Sequence, residues 1–177
     1  MGAERLIPLL LVVLATACRT GTQTSATTEP AGASARAVVE WVNDGDTLTL
    51  TNGAKVRLVQ IDAPELGTDC YGRAALDALV TLAPKGTPVR LVRDAALDDR
   101  DRYGRLLRYV FIRGENVNVA LVREGAASPY FFRNGRGRYA AQLLDAVDAA
   151  RKAHRGYWGT CPDARLNTGL GSITGGR

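Results

Sequence analysis

The 177-residue sequence is poor in histidine, lysine, methionine and cysteine. It has one His, one Met, three Cys and three Lys, against twenty Arg. A single histidine excludes a two-His zinc site and an HExxH helix. A Ser-His-Asp triad would have to use His154, which sits among Arg151, Lys152 and Arg155. Those cations oppose the imidazolium that such chemistry passes through. No GxxxxGK[ST] or GxGxxG stretch occurs, so no glycine-rich phosphate loop is present. No apolar run reaches the ~20 residues that span a bilayer.

What remains is a chain that is 46% hydrophobic, which excludes disorder as its general state. Its length suits one compact domain. The net charge is +5 and the excess is arginine, which permits a phosphate-bearing partner without requiring one.

The ends read differently from the middle. In residues 1–17 Arg5 precedes a twelve-residue apolar run, Leu6–Ala17, with the proportions of a signal peptide. Ala15-Thr16-Ala17-Cys18 resembles a bacterial lipobox, which would lipidate Cys18. A plain secretory signal is the alternative. Either way the location expected is extracytoplasmic, secreted or lipid-anchored to the outer face of the cell membrane. Residues 18–35 lack large apolar side chains and read as a flexible linker. Residues 163–177, Gly-rich from Asn167 on, read as a flexible tail. The working domain is therefore 36–162. Within it lie Cys70 and Cys161, and an exported pair of cysteines is expected to be bridged. Closing a loop of about 90 residues stabilises by roughly 4–5 kcal/mol at most on the chain-entropy argument.

Along the domain, Val38–Val42, the alternating Thr47–Thr51 and Lys55–Ile61 read as strands, the last two joined by the hairpin signal Asn52-Gly53. Tyr71–Ala83 carries a helical apolar stripe. Val89–Arg93 and Leu106–Ile112 are two further strands. Asn118 reads as the cap of a short helix, Val119–Glu124, and Tyr139–His154 as a longer one. Five antiparallel strands interrupted by a helix after the third match a mainly β, α+β domain. It would be a five-stranded OB-type Greek-key barrel with three helices.

Three polar clusters punctuate this order: Asp44-Gly45-Asp46-Thr47, Arg57 with Asp62-Ala63-Pro64-Glu65, and Asp101-Arg102-Tyr103-Gly104-Arg105. A hairpin joins the strands of Asp46 and Asp62, so their carboxylates can meet at one end of the sheet. Carboxylates without His or Cys suit a hard cation such as Ca²⁺ or Mg²⁺. Glu65 can act on a bound water as general base, and Arg57 and Arg105 can hold phosphate oxygens. One geometric conflict stands out. Arg57 and Asp62 are five residues apart, which on an unbroken strand puts them on opposite faces. A bulge or strand end must intervene. Each cluster alone also reads as a polar turn.

Together and in this order the clusters resemble those of the staphylococcal-nuclease-like (thermonuclease-like) domain family, from about Val38 to Trp158. Tyr71-Gly72, Val117-Asn118 and Tyr157-Trp158 extend the similarity. The resemblance implies Ca²⁺-dependent hydrolysis of DNA and/or RNA to 3′-phosphates, and the chain is expected to act as a monomer. Asp46, Asp62 and the backbone carbonyl of Ala63 would be metal ligands, and Arg57, Glu65 and Arg105 the catalytic residues. It sets Tyr103 near a terminal phosphate. Tyr130 and Phe131 partly match base-stacking tyrosines, with Arg133 next to them able to meet the nucleic-acid backbone. A short Glu65–Tyr71 loop containing Cys70 departs from the family pattern. A non-catalytic nucleic-acid-binding module and a calcium-stabilised structural lipoprotein remain as alternatives. The only membrane contact expected is through the lipid anchor.

Overall fold

A computed structural model describes residues 34–174, together with Met1. The expected signal segment 1–17, the lipidated Cys18 and most of the linker lie outside these residues, as do residues 175–177. In chain order the strands are β1 (Ser34–Val42), β2 (Thr47–Leu50), β3 (Lys55–Leu58) and β4 (Ile61–Asp62). Helix α1 (Gly72–Leu82) follows, then β5 (Pro88–Val92), β6 (Leu106–Ile112) and β7 (Glu115–Asn116). Helix α2 (Val117–Arg123), β8 (Ser128–Pro129), α3 (Ala140–Lys152) and the single turn α4 (Tyr157–Thr160) come next. The described chain finishes with β9 (Arg165–Asn167) and β10 (Gly171–Ile173).

The five main strands run in the order β3-β2-β1-β5-β6, and β3 pairs with β6 to close a barrel. The closing pair is parallel, with Val56, Arg57 and Leu58 opposite Leu106, Leu107 and Arg108. The barrel is therefore mixed rather than wholly antiparallel, because α1 carries the chain across one end between β3 and the returning strands. β1 serves both halves. Ser34–Val38 pair with β5, and from Val39 on it pairs with β2 across a register shift between Val39 and Trp41. Such an irregularity bends a strand and lets one element turn a barrel corner.

One apolar cluster fills the barrel and reaches the helices. Val39, Leu48, Val56, Leu58 and Val110 from the strands meet Ala75 and Leu79 of α1, Leu121 of α2 and Leu143 of α3. The TLTL pattern of β2 predicts one buried face, yet all four residues are buried. Its threonine face is covered by polar partners instead: Thr49 donates to Asn43 Oδ1 at 2.8 Å, and Thr47 to Asp46 Oδ1 at 3.0 Å.

Two expectations need correction. Asn118 does not cap α2. The cap is Asn116, whose side chain accepts the N–H groups of Asn118 and Val119. Asn118 is fully buried, accepts Val110 N–H at 3.0 Å and donates to the carbonyl of Val59 at 2.8 Å, so it fastens the helix to the barrel. Nor are the residues from 163 on simply a tail. β9 and β10 form a hairpin, and Phe131 N–H donates to the carbonyl of Thr168 at 2.6 Å. The expected disulfide is present between Cys70 and Cys161, 91 residues apart.

Candidate active site

The three polar clusters converge at one end of the barrel. In the turn before β2, Asp44 Oδ1 accepts Asp46 N–H at 3.0 Å. Gly45 between them lies against Ala63 and Ala75, where a Cβ would come within 2.6 and 2.9 Å of their methyl carbons. That turn therefore admits no side chain at its centre, and it presses Asp46 onto the segment that bears Asp62. Asp46 Oδ2 accepts Ala63 N–H at 3.2 Å.

The conflict between Arg57 and Asp62 is resolved by a break in the strand. β3 ends at Leu58, and Gln60 takes a left-handed conformation with φ 63° before β4 begins. The turn brings Asp62 back to the face of Arg57, whose Nη2 lies 2.7 Å from Asp62 Oδ1 and 3.0 Å from Asp46 Oδ2. Arg57 Nη1 donates to the carbonyl of Ile61 at 2.8 Å, so the guanidinium also braces the turn. The chain of contacts extends to the third cluster. Arg105 Nη1 donates to Thr47 Oγ1 at 3.2 Å, and Thr47 donates to Asp46. Arg105 Nε is itself held by Asp101 Oδ2 at 2.6 Å.

The electrostatics are unbalanced toward negative charge. Three carboxylates, Asp44, Asp46 and Asp62, share the field of one guanidinium. Burial, and then the charge of Asp46, push the Asp62 carboxyl up to about 6 although Arg57 opposes them. The Asp44 carboxyl is raised by burial and by Asp46. Burial alone would lower the Arg57 guanidinium, but Asp46, Asp62 and Asp44 outweigh it and the group is held more firmly charged. Asp101 moves the other way. Burial would raise it, but hydrogen bonds from Arg105 and Tyr103 hold it below the usual carboxylate range.

A buried and a half-buried aspartate that one arginine does not neutralise, with oxygen donors only, fit a hard divalent cation. Among the described residues no group of three or more acidic, His or Cys side chains converges as a metal site. Beyond Asp46 and Asp62, an ion's coordination would be completed by the Ala63 carbonyl, water and phosphate oxygens. Glu65 is exposed, and its backbone N–H is held by Asp69 Oδ2 at 3.0 Å. Its charge reaches Asp62 and adds to the rise there. The loop that follows is tied down by the Cys70–Cys161 bridge.

The profile of the staphylococcal nuclease homologue family matches residues 55–160. The chain belongs to the staphylococcal nuclease family. It is 31% identical over 125 residues to the thermonuclease of Staphylococcus hyicus, covering 66% of this chain and 72% of that protein. It is 34% identical over 138 residues to endonuclease YhcR of Bacillus subtilis, covering 68% of this chain but 11% of that protein. With an uncharacterized endonuclease of Haemophilus influenzae it shares 40% identity over 93 residues, 50% of this chain and 49% of the other. The chain thus spans less than half of the latter two relatives.

Tyr103 is 67% exposed, with the Arg102 guanidinium 4.7 Å and that of Arg105 5.5 Å from its ring centroid. Tyr130 is half-buried beside Phe132. Phe131 is 2% exposed and belongs to the core, so the expectation that it stacks on a base is corrected. The neighbouring Phe132 is the exposed ring, and Arg133 lies 5.0 Å from its centroid. This loop is anchored by Gln60, whose side chain donates to the carbonyl of Gly135 at 2.7 Å and accepts Gly137 N–H at 3.0 Å. The Asp101–Arg105 ion pair gives the DRYGR stretch the form of a salt-bridged loop between strands.

Proposed function

We propose that the chain is an exported, Ca²⁺-dependent nuclease that hydrolyses phosphodiester bonds of DNA and/or RNA to 3′-phosphate products. The observation that carries this reading is Arg57 lying between Asp46 and Asp62, in a family whose relatives are named thermonuclease and endonuclease. Asp46, Asp62 and the Ala63 carbonyl would hold the ion, which when bound would supply positive charge to a phosphate oxygen. Glu65, exposed at the rim, accepts a proton from the attacking water. Arg57 and Arg105 face the charge that builds on the phosphorus oxygens. As water oxygen bonds to phosphorus, the bond to the 5′ oxygen breaks, that oxygen takes a proton from solvent to become a hydroxyl, and the phosphate stays on the 3′ side. Tyr103, Tyr130 and Arg133 contact the flanking nucleotide chain. Export is supported by the signal-like residues 1–17 and by the disulfide.

The test is cleavage of single- and double-stranded DNA and RNA in Ca²⁺, Mg²⁺ or chelator, with end-group analysis. Activity is expected only with Ca²⁺, and Glu65→Ala should lower kcat by about 10²–10⁴-fold, as loss of a general base does. Binding of nucleic acid without cleavage would instead establish a non-catalytic module. Mass spectrometry of the exported protein should show a diacylglyceryl Cys18, and a free new N-terminus would mean plain secretion.

A further inference from the structure

We propose that the β9–β10 hairpin is part of the metal-binding apparatus and that Ser172 is a positioning residue for Asp62. This rests on the reading of Asp46 and Asp62 as cation ligands. The carboxyl plane of an aspartate turns about a broad, roughly two-fold torsion, so the backbone alone does not fix it. β4, which bears Asp62, is two residues long and pairs only with the equally short β8. Something beyond the strand must hold the carboxylate, and two donors do so from opposite sides. Arg57 binds Oδ1 at 2.7 Å, and the backbone N–H of Ser172, 110 residues on, binds Oδ2 at 2.9 Å. The Ser172 hydroxyl donates to the main-chain carbonyl of Asp62 and lies 2.9 Å from Ser128 Oγ in β8. One serine therefore grips the ligand's head, its backbone and the partner strand.

The approach has a specific requirement. Gly171 has φ 83°, and a Cβ there would overlap the Asp62 carboxylate. Only glycine brings this hairpin so close. Each carboxylate oxygen has two lone-pair directions, so Oδ2 keeps one for a cation after accepting Ser172 N–H. Ser172 is 6% exposed, which shields the hydrogen bonds from competing water. Partners of this kind, bound to a ligand rather than to the ion, typically govern metal affinity by 10–100-fold.

The experiment measures Ca²⁺ binding by calorimetry, with melting in chelator as a second readout. It compares the full chain, Gly171→Ala, a chain ending at Leu170, and Asp62→Asn as the ligand-loss reference. Gly171→Ala and the shortened chain should bind Ca²⁺ at least tenfold more weakly while their circular dichroism at 20 °C stays that of the full chain. A hairpin that only stabilises the fold would lower the melting temperature and leave the dissociation constant unchanged, overturning the proposal. A hairpin that obstructs the site would make binding tighter on truncation, overturning it in the opposite sense. Failure of the full chain itself to bind Ca²⁺ would refute the metal-site reading and is distinct from either result.

Discussion

Asp62 shows how one residue answers to several neighbours at once. Its carboxyl is lifted to about 6 by burial and by Asp46, against the pull of Arg57 and Ser172. In the unfolded chain it returns to about 3.9. The metal-free fold therefore favours the protonated acid. The stabilisation from this group is complete below about pH 4 and is lost as pH rises through 6. In chelator, melting temperature should fall between about pH 4 and pH 6 on this account, measured by scanning calorimetry. Added Ca²⁺ binds the ionised form and should shrink or reverse that fall, whereas a pH trend identical with and without the ion would contradict the assignment. That Asp46, Asp62, Arg57 and Arg105 come together was legible in the sequence because short charged motifs bracket the strands that bear them. Phe131 was not placed correctly, because adjacent aromatic residues in an irregular loop give no periodicity to say which ring points inward.

Elements matter here mostly where they stop. Gln60 ends β3 in a conformation that non-glycine residues seldom take, and that break carries Asp62 onto the face of Arg57. Asn118 shows a second junction. It reads as a helix cap from the sequence, since asparagine before an apolar stripe is a common start. The actual cap sits two residues earlier, at Asn116, and frees the Asn118 side chain to join α2 to β6 and to Val59 just after β3. Asn118→Ala should cost about 3 kcal/mol of stability in urea unfolding, because it strands a buried N–H and a buried carbonyl. Asn116→Ala should cost about 1 kcal/mol, the usual value of a lost helix cap. A smaller effect at Asn118 than at Asn116 would show that the cap outranks the junction. The strand series and both long helices followed from periodicity. The parallel β3–β6 closure and the β9–β10 hairpin did not, because both depend on partners about 50 and 110 residues away.

For the whole molecule, the net charge of +5 is less informative than its placement. Acidic groups gather at the barrel end, while Arg133, Arg136 and Arg138 lie in the loop that Gln60 ties down through Gly135 and Gly137. Phosphate contacts release counterions, so the KM for DNA should rise steeply between 50 and 200 mM salt while kcat changes little. The disulfide acts at the same scale, joining the loop after Glu65 to the turn α4. Replacing Cys70 and Cys161 by Ser together removes up to about 4–5 kcal/mol on the chain-entropy argument. For a domain of this size that lowers the melting temperature by roughly 10–20 °C. Thermal unfolding with and without reductant measures it, and an unchanged midpoint would mean that the bridge constrains nothing in the unfolded chain.

The contact between Asp62 and Ser172 also sets an order of events during biosynthesis. Chains lengthen at about 5–20 residues per second, so the 110 residues between the two take roughly 5–20 s to make. Throughout that interval a nascent polypeptide already holds Asp46, Arg57 and Asp62 but lacks the donor that orients the last of them. The two ends of this contact therefore meet only when almost the whole polypeptide has been made.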